Sequence, residues 1–121
     1  MKKGIRDLLK DGVFRVNGSL WLEGNGRRFF GPGPVELLEL IAETGSIRKA
    51  AKAMGMSYKK AWDIVSRING LTAAPLVKTS IGGEDGGGSA ISPEAKQIIA
   101  WYRELRERFR LFLEQESAGL G

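Results

Sequence analysis

The chain contains no cysteine and no histidine among its 121 residues. Their absence excludes disulfides, thiolate or imidazole metal sites, Cys- or His-based nucleophilic machinery and the usual proton carrier near neutral pH. No cluster of acid, base and nucleophile remains, so neither an enzyme nor a metal or cofactor site is expected. Long apolar runs are missing too: nothing approaches the ~20 residues of a membrane-spanning helix, and the opening MKKGIRDLLKDG has no apolar centre of a signal peptide. A cytoplasmic protein with no membrane partner is expected. A chain of this length is expected to form one domain, 1–121, burying roughly 65% of its unfolded surface, which allows a real core but not a core plus a large cleft.

What the chain does have is positive charge, and its placement matters more than the net +5. Residues 46–70 carry six Lys/Arg against one acid and residues 1–30 seven against three, whereas residues 31–45 carry only three acids. Residues 94–121 are balanced at five against five. A basic excess concentrated on one segment is the electrostatic footprint of a polyanion binder, with a solvated surface as the plain alternative.

Hydrophobic periodicity divides the chain into segments. VFRVNGSLWLEGNGRRFF, residues 13–30, alternates at Phe14, Val16, Leu20 and Leu22 and breaks at Gly24-Asn25-Gly26, which predicts a β-hairpin. Residues 34–70 predict a helical core. Its first helix follows Gly31-Pro32-Gly33-Pro34 and turns Val35, Leu38, Ile41 and Ala42 inward, with Leu37 beside them, ending at Thr44-Gly45. Ser46 then suits an N-cap, with Ile47, Ala50, Ala51 and Met54 on one buried face; Gly55 stops this helix, and Ser57 caps the next.

In that next helix, 57–69, Ala61, Val65 and Ile68 face inward. Two short helices joined by about three residues around Gly55, with small alanines between them, form a helix-turn-helix. On geometry alone an ordinary helical hairpin is the alternative. The outer face favours nucleic acid: Lys59, Lys60, Asp63 and Arg67 point away from the core and Tyr58 stands in the first turn, where a DNA-binding helix enters the major groove. Trp62 borders the buried stripe, a place for packing or for a base contact.

Leu76 to Ser80 and Ser89 to Ile91 predict a second hairpin, 76–91, and IGGEDGGGS between them lacks the Gly-Lys-Ser/Thr ending of a phosphate-binding P-loop. A hairpin after a helix-turn-helix is a wing; its glycines would admit close backbone approach to a phosphate, which Glu84 and Asp85 would oppose. Ser92-Pro93-Glu94 is a strong helix start, and the helix is expected over 93–116. Ile98, Tyr102, Leu105, Phe109 and Phe112, bordered by Trp101, follow spacings of four and three residues. This seam predicts a dimer interface, with docking onto the chain's own core as the alternative.

The strings ETGSIRKAAKAMGMSYKKAWDIV and APLVKTSIGGEDGGGSAISPEAKQII resemble the N-terminal DNA-binding domain of the ModE family of molybdate-responsive transcription regulators. That domain is similar in build to the winged helix of LysR-type regulators. The likeness runs from about Pro34 to Tyr102 and is most specific at Thr44-Gly45-Ser46, Ser57-Tyr58-Lys59, Ala61-Trp62-Asp63, Gly82-Gly83 and Gly86-Gly87-Gly88. The resemblance implies a homodimer held largely by the last helix, with recognition helix and wing reading an operator. Where the family's wing usually has a basic residue among its glycines, this chain has Glu84-Asp85. The family's regulators continue into a molybdate-binding region that this chain is expected to lack.

The expected fold is therefore α+β, mainly α: a winged helix-turn-helix with an N-terminal β-hairpin and a long C-terminal dimerisation helix. The expected function is a homodimeric, sequence-specific transcription regulator on a palindromic double-stranded operator. Its DNA-facing set is Ser46, Arg48, Lys49, Ser57, Tyr58, Lys59, Lys60, Asp63 and Arg67, with Gly83, Gly86 and Gly87 of the wing; its interface set is Ile98, Trp101, Tyr102, Leu105, Phe109 and Phe112. With the serines capping helices and the basic residues facing DNA, no site for the molybdate dianion is expected. The alternative is a winged-helix module that binds a partner protein through the acidic wing and through Trp21, Phe29 and Phe30 of the first hairpin.

Overall fold

Asn25 and Gly26 both lie in the left-handed region, with φ of 53° and 79°, the geometry that a two-residue mirror-image turn demands and that an Asn-Gly pair adopts at little steric expense. The computed structural model that shows this describes residues 4–80 and 88–120. Around the turn β1 (Leu22–Gly24) pairs antiparallel with β2 (Arg27–Phe30), with Leu22 opposite Phe30 and an irregularity between Leu22 and Glu23. The hairpin is thus shorter than the 13–30 expected from alternation. Upstream backbone groups are met by the C-terminal helix instead of by a strand: the Val16 N–H donates to Ser117 Oγ (2.8 Å), and the Leu20 carbonyl accepts from the Tyr102 hydroxyl (2.8 Å).

Four helices follow. α1 (Pro32–Thr44) starts with proline at its first position, where a missing N–H costs nothing, and stops at Gly45, whose φ of 70° ends the helix with a left-handed cap. It buries Pro34, Val35, Leu37, Leu38 and Ile41; Ala42, expected inside, is exposed, since the buried face closes at Ile41 one residue earlier. α2 (Ile47–Ala53), α3 (Tyr58–Leu71) and α4 (Pro93–Ala118) each begin at the anticipated serine, whose Oγ accepts the N–H of Lys49, Lys60 or Ala95 at 3.1–3.2 Å. Such caps are worth about 0.5–2 kcal/mol each. Between α3 and α4 lies the second hairpin, β3 (Val77–Ser80) against β4 (Gly88–Ile91), in register from Val77–Ile91 to Ser80–Gly88. The arrangement is a mainly helical α+β winged helix.

One apolar core joins these elements, with Phe30, Leu37, Leu38, Ile41, Val65, Ile68 and Tyr102 as its largest fully enclosed side chains. Tyr102 decides how α4 sits. Its ring meets Phe30 edge to face at 5.6 Å, a favourable aromatic geometry, and its hydroxyl ties α4 to the segment before β1. At 1% exposure it has no surface for a second chain, which removes it from the expected interface: one face of α4 must close the chain's own core.

Burial also pushes the Tyr102 hydroxyl above its ordinary pKa, only partly opposed by the nearby Arg106 charge. A group bound more tightly to its proton in the folded state contributes stability that is complete below the unfolded pKa of about 10 and lost as pH rises through the folded value. Tyr102→Phe is expected to cost about 0.5–1.5 kcal/mol at neutral pH through the lost hydrogen bond. Urea unfolding of both proteins at pH 7 and in strong alkali checks this: the gap between them should narrow as the tyrosine is forced to ionise.

Candidate nucleic-acid interface

The α2–α3 pair is built from small residues and one forced turn. Ala50, Ala51 and Ala61 are at most 1% exposed, so the two helix backbones approach closely, while Met54 is half-buried at the end of the stripe. Gly55, with φ of 69°, turns the chain, and the Met56 N–H donates to the Ala51 carbonyl at 3.0 Å, closing α2 before Ser57 opens α3.

With Ala61, Val65 and Ile68 buried, α3 turns Lys59, Lys60, Asp63 and Arg67 to solvent, while Arg48 and Lys49 are exposed at the start of α2. The fold brings two of these residues together: the Arg48 guanidinium lies over the Tyr58 ring, 4.1 Å from its centroid. Tyr58 in turn meets Trp62 edge to face at 6.1 Å, and Trp62 is half-buried against the core. A stacked guanidinium keeps its charge and the donors around its edge, so Arg48 is held in place without being neutralised. Ser46 and Ser57 each accept one N–H of their own helices, and their hydroxyl hydrogens remain to donate outward.

Ion pairing divides the molecule. Among the described residues the pairs join Arg103 to Glu39, and Arg110 to Glu107 and Glu114. The hydrogen bond from Arg110 holds the Glu107 carboxyl below its ordinary pKa, and the same contact, with Glu114, raises that of Arg110. Arg110 of α4 is therefore balanced within its own helix, and Arg103 by a carboxylate of α1. None of the six Lys/Arg of residues 46–70 shares an ion pair among the described residues, so the α2–α3 face keeps its positive field.

The second hairpin is anchored to this pair at two points. The Ser89 N–H donates to the Gly45 carbonyl at 2.8 Å, which fixes β4 to the turn before α2. Asn69, read from sequence as the end of a helix, is instead a clamp in its last turn: its Oδ1 accepts the N–H groups of Leu76 (2.9 Å) and Val77 (3.2 Å), and its Nδ2 donates to the Val77 carbonyl (3.0 Å). The wing thus leaves α3 at a set angle. The only signal for this role was an asparagine followed within eight residues by a strand, which many turns share. Gly83, Gly86 and Gly87, with Glu84 and Asp85, lie outside the described residues.

On α4, Trp101 and Phe112 are exposed, at 42% and 50%, while Ile98, Leu105 and Phe109 are half-buried. The Phe109 ring stacks on that of Phe112 and packs so close to Gly18 that a methyl group there would meet it at 3.3 Å. Leu111, not anticipated in the seam, is exposed as well. Of the aromatic residues expected to serve a partner-binding module, Phe30 is fully buried, Phe29 is 8% exposed and Trp21 is half-buried. No described helix is long and apolar enough to cross a membrane.

No family model matches the chain. It is 47% identical over 81 residues, 67% of its length, to the molybdenum-pterin-binding protein MopB of Rhodobacter capsulatus. It is 39% identical over 94 residues, 78% of its length, to the molybdenum transport protein ModE of Herbaspirillum seropedicae. Over 83 residues, 69% of its length, it is 37% identical to the DNA-binding transcriptional dual regulator ModE of Escherichia coli K12. In these matches it covers only 30%, 33% and 32% of the relatives, respectively. Matching residues and winged-helix fold together place the chain in the ModE family, over a part consistent with that family's N-terminal domain.

Proposed function

We propose that the chain is a DNA-binding transcription regulator acting as a homodimer in the cytoplasm. The carrying observation is the exposed basic face of α2 and α3, without an ion pair among the described residues, on a winged helix related to proteins named as transcriptional regulators. In this reading the first turns of α3 enter the major groove. Tyr58, Lys59 and Lys60 then reach base edges, with lysine suited to guanine O6 and N7 and Asp63 to a cytosine amino group. Arg48, Lys49, Ser57 and Arg67 meet the flanking phosphates, with the Tyr58 stack pre-orienting Arg48. Ser46 acts at the start of α2, and the wing, held by Asn69, follows the backbone with Gly83, Gly86 and Gly87.

Fragments selected from genomic DNA by the full chain supply the operator. Against that operator, Lys60→Ala is expected to weaken binding by about 1–3 kcal/mol, and Lys59→Ala/Lys60→Ala by more, with discrimination lost at the bases they face. Fluorescence anisotropy with labelled duplexes measures both. Unchanged affinity in the double variant would defeat the reading.

A further inference from the structure

On the flank of α3 nearest the first hairpin lies a cavity of about 330 Å³, within the size range of small-molecule sites. Trp21, Phe29, Met56 and Ile64 give it apolar walls. Arg28, Lys60 and Arg67 supply its charged groups, and no lining residue among the described ones is acidic. None of the three cations is in an ion pair among the described residues. The expectation that the basic residues of 46–70 all serve DNA did not foresee two of them converging with Arg28 from a separate hairpin.

The aromatic wall is fixed before any ligand arrives. The indole of Trp21 lies so close to Gly31 that a methyl group on that residue would sit 2.5 Å from the ring, and the Arg28 guanidinium lies over the ring, 5.5 Å from its centroid. Phe29 is held in the core at 8% exposure. Rigid apolar walls with three cations and no carboxylate select against neutral solutes and against cations. They select against bare inorganic anions as well, which gain nothing from the walls and would lose hydration there. From this complementarity we infer that the cavity binds a small planar aromatic anion, its rings between Trp21 and Ile64 and its carboxylate or equivalent group on Arg28, Lys60 and Arg67. Occupancy engages two side chains of the DNA face, so it also weakens DNA binding. That consequence rests on the proposed function, whereas the site itself does not.

The test uses 2-naphthoate as the probe, 2-naphthamide as its neutral counterpart and molybdate as a ring-free dianion, each titrated into the full chain without DNA and followed by amide and indole NMR shifts. Naphthoate should saturate, moving the Trp21 indole N–H and the backbone amides of Gly33 and Ile64. Naphthamide should bind about tenfold more weakly, and Arg28→Gln should reduce naphthoate binding about tenfold while sparing naphthamide, as loss of one charge-assisted hydrogen bond implies. Absence of saturable shifts at Trp21 and Gly33, equal binding of acid and amide, or molybdate matching naphthoate at the same residues would each overturn the inference. A competition experiment on labelled operator then reads the coupling: weakened DNA binding supports the shared side chains. Naphthoate binding with no effect on DNA would retain the site and refute its overlap with the DNA face.

Discussion

Raising salt from 50 to 200 mM is expected to weaken operator binding by about a thousandfold to a hundred-thousandfold, the range for a protein that neutralises roughly six to ten phosphates. That number follows from the face described above. Arg48, Lys49 and Arg67, with none, one or both of Lys59 and Lys60 also at phosphates, give three to five cations per protomer, and a dimer doubles them. Each released counterion adds about −0.9 to the slope of log K against log salt, so Arg67→Ala should flatten the slope by about two in a dimer, one contact per protomer. The α4 cations provide the contrast. Arg110 is engaged by Glu107 and Glu114, and Arg110→Ala should leave the slope unaltered. Anisotropy titrations at four or five salt concentrations decide the matter, and a slope near zero for the unmodified protein would move the function away from DNA and toward a protein partner.

The second large effect concerns assembly. Trp101 and Phe112 are eleven residues apart, close to three turns of helix, so they share one face of α4 with the half-buried Leu105 between them. The adjoining face, carrying Ala95, Ile99 and Tyr102, is buried within the chain. An exposed aromatic stripe backed by a docked helix suits a twofold interface in which α4 meets its copy, each helix offering the same residues. Trp101→Asp/Phe112→Asp places charge on that stripe without touching the core, and should yield folded monomers. Loss of the second, linked half-site should then cost about 10²–10⁴ in affinity for a full operator while half-site binding persists. In the intact complex the half-sites should lie about 34 Å apart, or a multiple of it. Sedimentation of the unmodified protein at micromolar concentration is the direct check; a monomer there would sink the interface, whereas a monomeric, folded double variant would support it.

Local chemistry set much of this protein without help from the fold. Three serines cap three helices because a short hydroxyl before an apolar stripe satisfies an N–H that would otherwise be orphaned. Asn25-Gly26 and Gly55 turn the chain because their backbones tolerate positive φ. The period of Ala61, Val65 and Ile68 fixes which face of α3 is buried, and so which lysines are not. Each of these depends on neighbours within a turn or two, which is why the sequence alone determined the order of elements and the basic character of the α2–α3 face. The tertiary structure decided what depends on residues far apart in the chain. Tyr102 resembled any other member of an apolar seam, yet a hydrogen bond to Leu20, 82 positions away, and the ring of Phe30 draw it into the core. Asn69 resembled a helix stop and became the wing's anchor. Phe14 and Val16 alternated like a strand, but the segment found its hydrogen-bond partner on α4, at Ser117. Arg28 meets Lys60 and Arg67 only because the first hairpin packs beside α3. Periodicity reports which side of an element is apolar, whereas the identity of the surface that covers it is set by packing between elements and leaves no periodic trace in either one.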